Sequence, residues 1–98
     1  MAEQLGDVGT EFLFENQYVK VWNLVLEPGQ ASSWHQHTLD YMYIVIEPGK
    51  VRTEYEDGTY EQQEDEIGNV VMRAQDAIHR LVNLGNSRYR NIVIELKG

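Results

Sequence analysis

The sequence predicts an all-β fold, a small antiparallel barrel or sandwich of strands. Apolar and polar residues alternate with a period of two in several segments, which is the pattern of half-buried strands. Turn-forming pairs such as Pro28-Gly29, Pro48-Gly49 and Asp57-Gly58 separate these segments. Turns that recur about every 8 to 12 residues are typical of β-sandwiches and barrels. No segment shows the apolar spacing of an amphipathic helix.

The predicted strands follow one another with short turns between them. The first, YVKVWNLVL, alternates between two faces and ends before Pro28-Gly29. The second carries ASSWHQH, and the third is YMYIVI. The segment VRTEYEDGTYEQQ predicts a hairpin about Asp57-Gly58, whose two-residue turn would place Tyr55 opposite Tyr60. Three further strands are predicted at NVVMR, IHRLVNL and YRNIVIEL.

The strand YMYIVI, Tyr41 to Ile46, is apolar on both faces. A sheet with one wet face has strands that are polar on one side, so both faces of this strand should be covered. One face belongs to the barrel interior. For the other face a second copy of the chain is the simplest cover, and the sequence predicts a homodimer.

Length and composition exclude several classes of function. The chain of 98 residues predicts one domain, with an N-terminal segment over 1–14 and a barrel over 15–96. Its net charge of −8 disfavours binding to nucleic acid or to a membrane surface. It has no cysteine, no secretory signal pattern and no apolar run long enough to span a membrane. We therefore expect a cytoplasmic protein without disulfides or thiolate metal ligands.

Two histidines, His35 and His37, stand one residue apart in a predicted strand. Side chains at alternate positions of a strand point to the same side, so the two imidazoles can converge on one point. Converging imidazoles form half of a site for a divalent metal ion.

Two segments resemble the two signature motifs of the cupin superfamily. The first motif keeps its glycines and histidines at Gly29, His35, His37 and Gly49. The second keeps Gly68, His79 and Asn83 in the family's spacing, but Ala74 and Asp76 replace a proline and a glycine. The resemblance implies a small antiparallel double-stranded β-helix, the RmlC-like jelly roll. It also implies that His79 is the third metal ligand, beside His35 and His37.

The family's metal-binding glutamate is missing from the first motif. Counting back from Gly49 puts Met42 in its place, whereas strand parity from His37 favours Tyr41. Asp40 is a carboxylate one position too early, and it could approach a metal only if the strand bulges there. Tyr41, Met42 and Asp40 are therefore the candidates for a fourth position or for the pocket.

The resemblance implies a divalent transition metal held by three histidines, with iron, zinc, nickel, copper and manganese as candidates. Some cupins hold iron in this way, among them the thiol dioxygenases and the diketone-cleaving dioxygenase. The expected function is oxygenase, isomerase or lyase chemistry on a small oxygenated metabolite. The alternative is a cupin module that binds a small molecule or metal without turnover. The residues that would carry catalysis cannot be assigned from the sequence.

Overall fold

The computed structural model describes residues 5–74 and 77–98. Within these ranges it contains eight β-strands and no helix. The all-β prediction is confirmed. The strands are β1 (Glu11–Glu15), β2 (Val19–Leu26), β3 (Tyr41–Glu47), β4 (Gly49–Tyr55), β5 (Tyr60–Asp65), β6 (Val70–Arg73), β7 (His79–Asn83) and β8 (Tyr89–Leu96). No helix in the described ranges has the length and apolarity that crossing a bilayer requires.

The strands form two antiparallel sheets. The larger sheet has the order β1-β2-β8-β3-β6, and the smaller has the order β5-β4-β7. Buried residues of both sheets pack into one cluster, in which Leu26, Val45 and Val93 come from the larger sheet and Val51 from the smaller one. Burial of this apolar surface is the main favourable contribution to folding.

The segment ASSWHQH does not form the continuous strand that the sequence predicts. It meets β7 only at two isolated bridges, Ala31 with Val82 and His35 with His79. Between them the amide of Leu81 donates to the Ser32 hydroxyl oxygen at 2.9 Å instead of to a backbone carbonyl. A side-chain acceptor thus replaces a ladder bond, because serine competes locally for backbone partners.

The predicted register of the hairpin is wrong by one residue. Glu54 pairs with Tyr60, and the loop between β4 and β5 is longer than a two-residue turn. The Asp57 carboxylate accepts hydrogen bonds from the backbone amide and the hydroxyl of Thr59, at 2.9 and 2.6 Å. These bonds favour the longer loop. As a result Tyr60 lies beside Arg52, with 5.1 Å between the guanidinium carbon and the ring centre, and not opposite Tyr55.

The two faces of β3 differ in what covers them. Tyr41, Tyr43 and Val45 point into the barrel and are buried. Met42 and Ile44 lie on the outer face of the sheet and are half-buried. There, Met42 stands beside Ile94 of β8 and Met72 of β6. The expectation that both faces of this strand are covered is met for the inner face, whereas the outer face has no cover within the chain's described residues.

Candidate metal centre

Three histidines meet inside the barrel. His35, His37 and His79 are 3, 4 and 6% exposed. One nitrogen of each ring lies within 4.8 Å of the nitrogens of the other two. A tetrahedral ion about 2.1 Å from three nitrogens would hold them about 3.4 Å apart, so small side-chain rotations bring this group to a metal-binding geometry.

Backbone pairing sets two of these histidines side by side. The amide of His35 donates to the carbonyl of His79, and the amide of His79 donates to the carbonyl of His35, each at 2.9 Å. The ring centres of the two residues are 4.6 Å apart. His37 follows two residues later, and its ring centre is 5.1 Å from that of His35. The convergence predicted from the spacing of His35 and His37 is therefore present.

The hydrogen bond of His35 fixes which nitrogen faces the cavity. Its Nδ1 lies 2.8 Å from the carbonyl oxygen of Ser33. Because a carbonyl can only accept, Nδ1 of the neutral ring carries the proton. Nε2 is then the nitrogen that carries the lone pair, as in many metal-binding histidines whose other nitrogen donates to a carbonyl.

The His37 ring is held in its neutral form. The pKa of His37 is lowered to about 3, mainly by burial and to a smaller extent by the neighbouring His35 and His79. Its Nδ1 is buried, and no described residue offers it a hydrogen bond. A buried polar nitrogen without a partner is unfavourable, and coordination to a cation would satisfy it. The donor set therefore fits a divalent transition metal.

Tyr41 faces the cavity, and Met42 and Asp40 do not line it. Tyr41 is 5% exposed, and its ring stacks on His37 with centres 3.6 Å apart and planes at 11°. Met42 lies on the outer face of the sheet, and Asp40 is exposed. The sequence left open whether Tyr41 or Met42 faces the cavity. The count by strand parity from His37, which favoured Tyr41, agrees with this arrangement. Among the described residues, the one of these three candidates that faces the histidine cavity is therefore a phenol and not a carboxylate.

The cavity beside the histidines has a volume of about 50 Å³. A single buried water needs at least about 10–15 Å³ of such space, so the cavity takes a few waters or one small ligand. None of the described residues that line it is an Asp or Glu. The lining residues are Val8, Leu24, His35, His37, Tyr41, Tyr43, Thr53, Tyr55, Arg73, His79, Leu81, Asn91 and Val93.

The two arginines near the second motif have different surroundings. Arg80 donates to Glu54 at 2.8 Å and lies 4.8 Å from the ring centre of Trp34. Arg73 lines the cavity, and no described carboxylate forms a salt bridge with it. Among the described residues that line the cavity, Arg73 is thus the one with a permanent positive charge.

Asn83 of the second motif has a structural role. Its Nδ2 donates to the carbonyls of Leu26 and Ser87, both at 2.9 Å, and its Oδ1 accepts from the amide of Gly85. These bonds tie the loop after β7 to β2. Asp76, which replaces a motif glycine, lies outside the described residues.

Sequence reasoning missed Asn91, which also lines the cavity. Asn91 is 2% exposed and lies on the same face of β8 as Tyr89, Val93 and Glu95, which are likewise buried. The opposite face of β8 carries Ile92 and Ile94. Because β8 is apolar on its outer face, hydropathy alone assigns its polar residues to solvent. The alternation could have identified Asn91 only if the buried face had been known.

No protein-family model and no curated protein sequence matches the chain. Solved structures do match it. A cupin domain from Bordetella pertussis Tohama I superposes with a TM-score of 0.79 at 23% identity, over 95% of this chain and 100% of that one. An RmlC-like cupin with a double-stranded β-helix fold from Methanocaldococcus jannaschii gives 0.69 at 19% identity, over 98% and 92% of the two chains.

A longer protein from Silicibacter pomeroyi, a sugar phosphate isomerase from a cupin superfamily, gives a TM-score of 0.59 at 21% identity. The match covers 83% of this chain and 52% of that one. Together these likenesses define the class: the molecule is a double-stranded β-helix. More particularly, the chain has the cupin fold, as its two motifs imply. Identities this low establish the fold and leave the activity to be argued from the site.

Proposed function

We propose that His35, His37 and His79 bind one divalent transition metal ion and that the protein acts on a small oxygenated metabolite beside it. The observation that carries this proposal is the approach of three buried imidazole nitrogens to within 4.8 Å of one another on a cavity wall. Oxygenase, isomerase and lyase chemistry all suit such a site. When bound, the ion would supply Lewis acidity towards a carbonyl or enolate.

The chain's own residues would bind and orient the ligand. The Arg73 guanidinium lines the same cavity and favours a ligand that carries a negative charge, such as a carboxylate. Tyr41 covers one face of His37 and holds its ring against rotation. The cavity admits only a small molecule, because its volume is about 50 Å³.

A second function, a binding module without turnover, is favoured by the absence of a carboxylate among the described cavity residues. Many enzymes that move protons from carbon use an Asp or Glu as the general base. Here the described groups that could take a proton are histidines and tyrosines. Turnover on a panel of diketones, thiols and hydroxy acids separates the two functions, because a binding module would leave every compound unchanged.

The metal proposal is tested by elemental analysis of protein purified without a histidine tag. After incubation with iron(II), zinc, nickel or copper and removal of excess ion, we expect one ion per chain. The chain has only three histidines, all in this site, so tag-free protein offers no other imidazole. His79→Ala should lose the ion, and the exposed residue between the other two ligands, changed as Gln36→Ala, should keep it. A wild-type protein that stays free of every metal refutes the proposal.

We also propose that the protein is a homodimer through the outer face of the larger sheet. The row Val21, Ile94, Met42 and Met72 crosses that face, and the parallel row contains Ile92, Ile44 and Val70. The chain's net charge of −8 makes other surfaces repel a second copy, whereas this region is apolar. Sedimentation should give twice the monomer mass. Ile44→Lys should give monomer, and Gln62→Lys on the other sheet should not; a monomeric wild type at micromolar concentration refutes the proposal.

A further inference from the structure

A chain of hydrogen bonds runs through the barrel interior at the end remote from the histidines. The Tyr89 hydroxyl donates to Asp65 Oδ2 at 2.8 Å, and Asn91 Nδ2 donates to the Tyr89 oxygen at 2.9 Å. The other oxygen of Asp65 accepts from Gln63 Nε2 at 2.7 Å. Tyr89 is fully buried, and Asp65 and Asn91 are 5 and 2% exposed.

This network fixes the orientation of the Asn91 amide. Burial, with the nearby Asp65 charge, raises the pKa of Tyr89, so its hydroxyl keeps its single proton. That proton is donated to Asp65, which as a carboxylate can only accept. The Tyr89 oxygen must therefore accept from Asn91, and the amide turns its NH₂ group towards Tyr89. The reversed amide would set two oxygens against each other without a proton between them.

The remaining atom, Asn91 Oδ1, is a buried acceptor without a donor. No described residue forms a hydrogen bond with it, and Asn91 lines the same cavity as the histidines. Leaving such an atom unsatisfied is costly, and native structures nearly always provide a partner. A molecule in the cavity would supply that donor.

The position of Asn91 along the barrel sets where that donor lies. Asn91 pairs with Val45 on β3, whereas Tyr41, at the histidine end, pairs with Glu95. Four residues of strand therefore separate the two levels along the barrel, although both line one cavity. The donor therefore lies at the opposite end of the ligand from the histidines.

We propose that Asn91 is a specificity residue whose Oδ1 accepts a hydrogen bond from a ligand hydroxyl remote from the metal. The inference rests on the proposed function in that the ligand occupies the histidine cavity. A hydroxyl fits better than an ammonium group, because a neutral amide oxygen would not offset the desolvation of a buried charge. The ligand class is a short acid with a hydroxyl at the far end of its chain.

The test compares 4-hydroxybutanoate with pentanoate, which has a methyl group in place of the hydroxyl. Calorimetric titration of the zinc-loaded protein should show 4-hydroxybutanoate binding about tenfold or more tightly, since the analogue leaves Oδ1 unpaired. Chelation of zinc by this hydroxyl is not expected, because it lies at the end of the chain. Asn91→Leu should reduce the ratio of affinities to about one. Asn23→Leu, on the outer face of the sheet, should leave it unchanged.

Tyr89→Phe supplies a second variant that retains Asn91. Without the Tyr89 oxygen the amide is free to turn, so the preference for the hydroxyl should fall, while zinc stoichiometry stays at the wild-type value. Wild-type protein that binds zinc but binds both acids equally, or neither, overturns the role of Asn91 and leaves the metal site intact. A preference that survives unchanged in Asn91→Leu also overturns it. If zinc does not bind, the proposed function fails, and the same ratio measured on metal-free protein decides the role of Asn91.

Discussion

The two ends of the barrel interior are both polar, but they are polar in different ways. At one end three histidines face each other, and His37 Nδ1 has no partner among the described residues. At the other end both oxygens of Asp65 accept hydrogen bonds, from Gln63 and from Tyr89. Burial keeps His37 neutral, whereas the buried Asp65 carboxylate is surrounded by hydrogen-bond donors.

This difference separates what stabilises the fold from what is available to a ligand. A saturated network contributes to stability and resists substitution, because removing one member leaves the others unsatisfied. Groups with unfilled hydrogen-bonding capacity contribute less to stability, and the fold can do without them. Asn91 belongs to both ends in this sense, since its NH₂ group completes the network and its Oδ1 faces the cavity.

The largest effect should come from breaking the saturated end. Asp65→Ala removes the acceptor of Tyr89 and Gln63 and should lower the free energy of unfolding by about 3 kcal/mol. His79→Ala should lower that of the metal-free protein by about 1 kcal/mol or less. Urea unfolding followed by tryptophan fluorescence measures both. The exposed neighbour changed as Glu64→Ala is the control, and equal losses for Asp65 and His79 would remove the distinction between the two ends.

The histidine end should make stability depend on pH. Burial, together with His35 and His79, lowers the pKa of folded His37 to about 3 from 6.5. A lowered folded pKa means that the unfolded chain takes up the proton first. The stability is complete above about pH 6.5 and is lost as pH falls towards 3.

For metal-free protein this predicts a loss of about 2 kcal/mol between pH 7 and pH 5. His37→Gln should flatten the dependence in that range, because the residue no longer titrates. Urea midpoints measured at each pH provide the comparison. A wild-type curve that stays level from pH 7 to pH 5 would contradict the neutral, buried state of His37.

A smaller effect is expected from returning a carboxylate to the histidine end. Tyr41→Glu places an acid on the cavity wall and should tighten zinc binding about tenfold, because it adds negative charge beside the cation. Met42→Glu puts the same acid on the outer face and should not tighten binding. Competition with a zinc-sensitive dye gives both affinities. Tighter binding in the Met42 variant alone would contradict the orientation of β3.

The sequence predicted the parts of the structure that depend on local spacing. Alternation identified seven of the eight strands within the described residues, β1 being the exception, and the H-x-H spacing placed His35 and His37 on one face. It did not decide between Tyr41 and Met42, because the turn between His37 and β3 interrupts the alternation. Two predictions were wrong because of local side-chain hydrogen bonds. Ser32 interrupts the strand predicted at ASSWHQH, and Asp57 favours a different register in the hairpin of β4 and β5. Such competition from short polar side chains is not visible in a hydropathy pattern.

The interior polar network could not be predicted for a different reason. The buried polar bonds include two between residues that are distant in sequence, Trp22 Nε1 with Glu95 at 2.8 Å and Tyr89 with Asp65. Each of these residues alone resembles an ordinary surface or core residue. Only the pairing of β2 with β8, and the packing of the two sheets, brings them together.

The bridge between His35 and His79 has a consequence for how the site opens. Each residue's amide proton is held by the other's carbonyl, so neither can exchange with solvent unless the bridge separates. The two amides should therefore exchange with deuterium at one common, slow rate, set by a single local opening. The neighbouring amide of Gln36 lies on an exposed residue and should exchange faster. An ion that enters the cavity thus meets two histidines whose backbone segments open and close together.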